Sequence, residues 1–308
     1  MRKVHKTDIK RGCKRPAPRR SLKGTNYYFF AAAGNPCYLS GMEKNGVLKI
    51  GFIGVGTMAS AIVRSLFKFG TRAMRIYLSP RGRENVRQLA QEADYVQVMD
   101  SNQEVLDLAD WIVLAVTPQI APKVLADLKF RSDHHLISLI SPISLENTKA
   151  MLPDWLPVNK VIPLPFIQYG KGPILLYPDH PSVADIFGEL GKLVIVENEY
   201  QLDVLITVTA LVSPFLRLLS ETISWSSEHD LGLTKAADYT LAFFDALVDM
   251  ARRAGIDEVL GLWREMTPGG LNQRATSYLE ERDGFSIWPE ALDTVLKFFT
   301  QDGLESDS

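Results

Sequence analysis

The sequence predicts an α/β fold: a Rossmann-type doubly wound sheet followed by an all-α C-terminal domain. Two observations favour this class. Short apolar runs alternate with helical segments over residues 48–199, which is typical of a parallel sheet covered on both faces. From residue 200 to residue 302 only helical spacing occurs, which indicates a separate helical domain. Residues 1–47 form a basic leader and residues 303–308 a tail.

The predicted strands begin after the leader. The run Trp111–Val116 is apolar throughout, as expected for a strand that is buried on both faces. The strands predicted for the sheet are 48–53, 74–78, 96–99, 111–116, 135–140, 160–162, 173–177 and 193–196. Helices are predicted at 58–69, where Gly70 ends the apolar spacing, and at 84–92.

The C-terminal region contains five predicted helices. They cover residues 201–229, 233–254, 257–266, 271–281 and 288–299. The first is long for a packing partner within one subunit, so the pattern favours pairing with a second chain.

Composition excludes several classes of protein. The chain has 308 residues, is 46% hydrophobic and 23% charged, and has a net charge of −2, as a globular protein does. The body after the leader is acidic, which argues against non-specific nucleic-acid binding. Both cysteines, Cys13 and Cys37, lie in the leader, and the histidines form no constellation, so no metal site is expected. No apolar run reaches the roughly 18 residues of a membrane-spanning helix.

The basic leader has three interpretations. It is compatible with a targeting peptide, with a nucleic-acid-binding arm, or with a non-native extension upstream of a start at Met42. We expect a cytoplasmic protein, with import into an organelle if the leader is native.

A glycine-rich turn follows the first strand. Gly54 and Gly56 begin a G-x-G-x-x-A pattern in which Gly54 allows a tight turn and Gly56 allows close approach of a pyrophosphate. The amide groups of Thr57 and Met58 at the helix N-terminus are then available to phosphate oxygens. The strand, turn and helix context predicts dinucleotide binding.

The end of the second strand distinguishes the two nicotinamide cofactors. An enzyme that uses NAD usually has an acidic residue there, whereas this chain has Ser79 and Arg81. A guanidinium group binds phosphate through its planar fork, so the sequence predicts NADP(H). The alternative is a solvated basic loop.

These motifs, with others further along, resemble those of the pyrroline-5-carboxylate reductase family across residues 48–300. The matching segments are 51–61, 102–119, 144–146, 160–163, 209–211 and 268–270. The resemblance implies NADPH-dependent reduction of a cyclic imine to an amino acid, as in proline biosynthesis, and an intertwined helical dimer. It also implies that Asn102 lies near the adenosine of the cofactor, and that Val116, Thr117 and Pro118 lie near its nicotinamide.

The chain departs from the family pattern at pocket positions. Thr117 stands where the family commonly has Lys, and residues 164–166 replace its Asn-Thr-Pro. The Gly/Ser-rich segment after Thr-Ala-Leu is shortened to residues 212–214, and Asn272 replaces a threonine. The cofactor half therefore follows the family, whereas the substrate half does not.

Substrate-binding residues are expected near the end of the chain. Thr267, Gly269 and Gly270 precede a helix and offer amide groups to a carboxylate, although Thr267 is equally compatible with an ordinary helix cap. Asn272 is a candidate hydrogen-bonding residue for the substrate, or a solvated asparagine. Ser213 either lines the pocket or caps a kink at Pro214.

Two other side chains favour structural interpretations. Tyr239 is a possible proton donor, but its apolar neighbours favour a core position. Lys235 resembles the acid/base lysine of β-hydroxyacid dehydrogenases, but a surface ion pair with Asp238 is favoured. Three functions thus remain: imine reduction, carbonyl reduction through Lys235, and non-catalytic NADP binding.

Overall fold

The computed structural model describes residues 46–265 and 267–300. The described residues all belong to one compact unit. The leader with its three interpretations, the tail, and Met42 lie outside the described residues. The predicted division between two domains at residue 199 stays a prediction.

Eight strands form one sheet, which confirms the predicted fold class. The strand order is β3-β2-β1-β4-β5-β6-β7-β8, and every pair is parallel except β6 with β7. The strands are β1 (Leu48–Ile53), β2 (Met74–Leu78), β3 (Val96–Val98), β4 (Trp111–Leu114), β5 (His135–Ser138), β6 (Val158–Pro163), β7 (Pro173–Tyr177) and β8 (Lys192–Ile195). The order reverses direction beside β1, so the carboxyl ends of β1 and β4 border a crevice where such folds bind ligands.

Both faces of the central strands are buried, which is why they read as continuous apolar runs. Apolar side chains that alternate along β1 and β4 belong to two separate clusters, one with Phe52 and Val113 and the other with Ile53 and Leu114. Six helices accompany the strands: α1 (Thr57–Phe69), α2 (Arg83–Glu92), α3 (Asn102–Leu108), α4 (Ala121–Ala126), α5 (Leu145–Ala150) and α6 (Pro181–Gly188).

Helices without strands follow from residue 199, as predicted. They are α7 (Glu199–Val208), α8 (Val212–Ser226), α9 (Leu233–Ala254), α10 (Ile256–Val259), α11 (Leu271–Glu280) and α12 (Ile287–Thr300). The helix predicted over 201–229 is present within the helical run Glu199–Leu231, but a 3-10 turn at Thr209–Leu211 divides it into α7 and α8. Pro214 explains the break, since it has no N–H to bond the carbonyl oxygen of Ala210.

The prediction of a helix over 257–266 is wrong. The chain forms only the single turn of α10 and a 3-10 turn at Leu262–Arg264, with Gly261 between them. Glycine lowers helix propensity by about 1 kcal/mol relative to alanine, and few apolar contacts here offset that cost.

The helical region, defined as residues 199–300, leaves much of its apolar surface exposed. Within α8 only Leu219 is buried, and Tyr239 of α9 is 72% exposed and stacks on Phe243. The expected core position of Tyr239 is therefore wrong for the single chain. By length and composition alone, the helical run Glu199–Leu231 could cross a membrane. A core helix of a soluble protein passes the same test.

Candidate active site

The carboxyl ends of β1, β2 and β4 meet at one edge of the sheet. Phe52 pairs with Leu78, and Ile53 pairs with Leu114, so the turns that follow these strands are neighbours. We call this edge, with the turns after β1, β2, β3 and β4, the carboxyl edge. It brings together every cofactor residue that the sequence predicts.

Gly54 has the conformation that the motif requires. Its φ is +89°, in the region that favours glycine, and a Cβ there would lie 2.8 Å from both the carbonyl oxygen of Ala115 and the Val116 side chain. The turn after β1 therefore packs directly against the chain leaving β4. A side chain at this position would force the two segments apart.

Gly56, in contrast, faces open space. No atom lies within 4 Å of a Cβ built there, and the residue is exposed at the N-cap of α1. The amide groups of Thr57 and Met58 belong to the first turn of that helix, which has no acidic residue. This turn offers an anion unobstructed backbone donors and the positive end of a helix dipole.

Ser79 supports the turn and is itself inaccessible, which corrects the expectation of direct phosphate contact. Its side chain is fully buried, and its hydroxyl oxygen accepts a hydrogen bond of 2.8 Å from the Gly54 amide. A ligand at the surface cannot reach this oxygen. Ser79 therefore positions Gly54.

Arg81 is exposed in the loop between β2 and α2. Two contacts hold this loop against the glycine turn. Asn85 donates a 3.0 Å hydrogen bond to the carbonyl oxygen of Val55, and a Cβ on Gly82, where φ is +92°, would lie 2.5 Å from the same oxygen. The guanidinium is thus carried beside the phosphate-binding turn.

The remaining predicted cofactor residues lie at the same edge. Asn102 is the first residue of α3, after β3. Val116 and Pro118 are half-buried after β4, and Thr117 is exposed between them. These positions agree with contacts to the two ends of an extended dinucleotide, although the contacts themselves stay predictions.

An ion pair between a buried lysine and a half-buried glutamate lies beyond β5. Lys160 of β6 is 1% exposed, and its Nζ donates to Glu199 at 2.7 Å and to the Ser141 carbonyl oxygen at 3.2 Å. The same Glu199 oxygen accepts from the Leu145 amide at 2.8 Å. Burial raises the pKa of nearby Asp203, Lys160 lowers it and Glu199 raises it. The pair ties α7 to the loop after β5.

The turn before α11 is exposed, and its cap differs from expectation. Gly270, not Thr267, is the N-cap, and the Gly270 amide donates to the Thr267 carbonyl oxygen at 3.0 Å. The Gly269 amide donates to Oε1 of Gln273 at 2.5 Å. Thr267 as a side-chain cap is therefore wrong, and the amide groups of both Gly269 and Gly270, two of the expected carboxylate donors, already have hydrogen-bond partners. Asn272 lies exposed in the first turn of α11.

The other polar candidates are also exposed. Ser213 lies in the first turn of α8, beside Pro214. Lys235 and Asp238 are both exposed, and the described residues include no ion pair between them, so that expectation is wrong. In the single chain the side-chain candidates of the substrate half are therefore exposed.

Sequence reasoning missed three supports of the cofactor half. They are the hydrogen bonds of Ser79 and Asn85 and the left-handed Gly82. Each links residues 25 or more positions apart or depends on backbone conformation, so local patterns carry little signal for them. Gly82 in Ser-Pro-Arg-Gly was a signal for a turn.

Comparison with known proteins agrees with this geometry. A family model described as "NADP oxidoreductase coenzyme F420-dependent" matches residues 49–142. Pyrroline-5-carboxylate reductase 3 of Macaca fascicularis is 33% identical over 118 residues, which cover 37% of this chain and 42% of that protein. This chain thus matches about two fifths of that relative's length.

Two matches extend through the helical region. Pyrroline-5-carboxylate reductase of Pseudomonas aeruginosa is 26% identical over 258 residues, 80% of this chain and 94% of that protein. The solved structure of Plasmodium falciparum pyrroline carboxylate reductase with NADP bound has a TM-score of 0.70 and 20% identity, covering 82% of this chain and 97% of that one. The second likeness shows the fold.

Proposed function

Because the chain belongs to the pyrroline-5-carboxylate reductase family, we propose that it reduces a cyclic imine such as 1-pyrroline-5-carboxylate with NADPH. The product is then an amino acid such as proline, and the protein acts in amino-acid biosynthesis. One observation carries the proposal: the glycine turn, braced by Ser79, and the Arg81 loop lie side by side at the carboxyl edge.

The residues at this edge fit NADP(H). The open space at Gly56 lets a pyrophosphate approach the amide groups of Thr57 and Met58. Arg81 would bind the 2′-phosphate with its guanidinium fork, since no acidic side chain precedes it in the loop. The NADP bound to the Plasmodium falciparum structure supports the use of a nicotinamide cofactor, and the preference for NADP(H) rests on Arg81.

The reaction requires little acid–base chemistry from the protein. When bound, NADPH would supply a hydride to the imine carbon, and the nitrogen of a protonated iminium would already carry the proton that the amine retains. The chain's task is to hold the two carbons within reach of each other and to exclude water. Val116, Thr117 and Pro118 would orient the nicotinamide, and Asn102 the adenosine.

The substrate carboxylate would bind the helical region. The backbone amide groups at the start of α11 and the Asn272 side chain are candidate donors, with Ser213 of α8 as a further one. All three are exposed in the single chain, so a closed pocket requires another surface over them. That surface also has to exclude water from the hydride transfer.

We propose that a second copy of the chain supplies that surface. Large apolar side chains are exposed on four helices, as Leu216, Phe243, Leu271 and Phe298 illustrate. Exposed apolar surface of this extent is typical of obligate dimers. Such pairing would also account for the apolar run Glu199–Leu231. We propose a cytoplasmic location for the protein.

Turnover with pyrroline-5-carboxylate tests the function. We expect the purified protein to oxidise NADPH only when this imine is present, with proline detected by mass spectrometry. Arg81→Gln should weaken NADPH binding about tenfold or more and leave NADH binding unchanged, since only NADPH carries the 2′-phosphate. Arg87→Gln, which removes an exposed arginine of α2, is the matched control.

Two outcomes would contradict the proposal. If NADPH binds but the imine leaves its oxidation rate unchanged, the protein is not this reductase. If a panel of 2-keto and β-hydroxy acids is turned over instead, and Lys235→Ala abolishes that turnover, the activity is carbonyl reduction through Lys235.

A further inference from the structure

The loop between β5 and α5, residues 139–144, borders the segment that is expected to orient the nicotinamide. We call it the β5 loop. The Leu139 amide donates to the Leu114 carbonyl oxygen at 3.0 Å, so the chain leaving β5 runs beside the chain leaving β4. Ile140 is buried in the same apolar cluster against which Val116 packs. The β5 loop therefore lies next to the turn after β4.

A buried lysine lies in the sheet at the level of the carboxyl edge. One row of paired residues crosses four neighbouring strands and consists of Ile53, Leu114, Ser138 and Lys160. Ile53 is the last residue of β1 and Ser138 the last residue of β5. Lys160 thus lies beside the point where the β5 loop begins.

Lys160 and Glu199 hold the β5 loop at two points. Nζ of Lys160 donates to the Ser141 carbonyl oxygen at 3.2 Å, in the middle of the loop. Oε1 of Glu199 accepts from the Leu145 amide at 2.8 Å, where the loop enters α5, and from Nζ of Lys160 at 2.7 Å. Because Glu199 begins α7, the three bonds join the sheet, the β5 loop and the helical region.

Stability alone does not explain a lysine at this position. Its side chain is 1% exposed, and apolar side chains of similar volume often replace such a pair with no loss of stability. Val158 and Ile162, which lie on the same face of β6, are apolar and buried. Apolar side chains cannot bond to a carbonyl oxygen and an amide of the loop. The specific contribution of the pair is therefore to fix the backbone of the β5 loop.

We propose that Lys160 and Glu199 are positioning residues for hydride transfer, which fix the β5 loop as a wall of the nicotinamide site beside Val116. A fixed wall restricts the ring to orientations in which its hydride faces the substrate, and a displacement of about 1 Å can lower a rate about 100-fold. The wall also limits access of water to the ring. The effect on turnover rests on the proposed imine reduction, whereas the effect on the bound nicotinamide does not.

The volume-matched double variant Lys160→Met with Glu199→Gln tests this role, because it removes the bond to Ser141 without leaving a buried charge. We expect its melting temperature to stay close to that of the unaltered chain. The rise in NADPH fluorescence on binding should fall to about half or less, because a loose wall leaves the nicotinamide mobile and hydrated. Binding of adenosine 2′,5′-bisphosphate, which has no nicotinamide, should change less than about twofold.

Turnover of pyrroline-5-carboxylate provides the second measurement. The double variant should lose about tenfold or more in kcat, whereas its KM for the imine should change less than about threefold. Glu199→Asp keeps the charge but shortens the side chain, so we expect it to fold normally and to lose about threefold in kcat. The control is Arg72→Met with Asp185→Asn, which removes an exposed ion pair of 3.1 Å and should leave fluorescence and kcat unchanged.

The proposal is overturned if the double variant shows the full rise in NADPH fluorescence. It is equally overturned if adenosine 2′,5′-bisphosphate binding weakens as much as NADPH binding, since the pair then acts on the whole cofactor site. Should the double variant fail to fold, an unchanged fluorescence rise in Glu199→Asp overturns the proposal. If the unaltered chain binds NADPH but does not reduce the imine, the proposed function fails, and the fluorescence comparison still decides the positioning role.

Discussion

The sheet region, residues 46–198, and the helical region differ in how much of their apolar surface a single chain can bury. Strands β1 and β4 are almost wholly buried between two layers of helices. By contrast, α8 buries only Leu219, and most of the large exposed apolar residues lie after residue 199. The sheet region thus buries its apolar residues within one chain. The helical region leaves many of its apolar residues exposed, as a subunit of an obligate dimer does before it pairs.

The same difference separates the two halves of the candidate site. The cofactor half rests on hydrogen bonds within the sheet region, such as that between Gly54 and Ser79. The substrate half, with Ser213 and Asn272, is exposed until another surface covers it. We therefore expect a single chain to bind the cofactor, and a dimer to be required for turnover of the substrate.

The largest effect is expected where the two regions join, at the ion pair of buried Lys160 with half-buried Glu199. Glu199→Gln leaves a buried ammonium without its partner, so we expect the free energy of unfolding to fall by about 3 kcal/mol in urea denaturation. Lys160→Met combined with Glu199→Gln should recover most of this loss.

Glu84→Gln is the matched control, because it breaks an exposed ion pair with Arg87, worth about 0.5 kcal/mol or less. A loss for Glu199→Gln no larger than that of the control would contradict a buried junction between the two regions.

The exposed surface of α8 gives the next largest expected effect. Leu216→Asp places a charge on the proposed interface, so the dimer dissociation constant should rise about 30-fold or more, equivalent to about 2 kcal/mol, in analytical ultracentrifugation. Arg217→Asp, on the same helix but at a position that is already polar, is the control. A wild-type chain that sediments as a monomer at micromolar concentration would contradict the proposal that the helical region forms a dimer interface.

The two glycines of the turn separate stability from cofactor binding within the sheet region. Gly54→Ala should lower the free energy of unfolding by about 1–3 kcal/mol, because its Cβ meets Ala115 at positive φ. Gly56→Ala should leave unfolding unchanged but weaken NADPH binding about tenfold, since its methyl group occupies space needed by the pyrophosphate. Equal effects of both variants on unfolding would contradict these distinct roles.

The smallest expected effect is on pH dependence. Burial lowers the pKa of both His134 and His135, so the folded chain resists protonation that the unfolded chain accepts. The free energy of unfolding should therefore rise with pH up to about pH 6.5 and then level off. Each histidine contributes at most about 1.4 kcal/mol per pH unit to this rise. His135→Phe should reduce the slope of unfolding free energy against pH, measured by urea denaturation between about pH 5 and about pH 7. His229→Phe, which removes an exposed imidazole, is the control, and an unchanged slope in His135→Phe contradicts the prediction.

Much of the fold followed from local patterns. The apolar runs located all eight strands, Gly70 marked the end of α1 correctly, and the predicted bounds 233–254 match α9. The helix over 257–266 did not form, because spacing alone does not show whether neighbouring elements provide contacts. Tyr239 was assigned to a core for the same reason: its apolar neighbours are exposed with it.

The sequence by itself determined the strand–turn–helix at Gly54 and the exposed arginine loop after β2, because both depend on residues close together in the chain. Only the tertiary structure decided that the Gly54 amide donates to the Ser79 hydroxyl, that Lys160 pairs with Glu199, and that the rings of His135 and His180 are in contact. These contacts join residues 25 to 45 positions apart, and the folding of the sheet, not local conformational preference, brings such residues together.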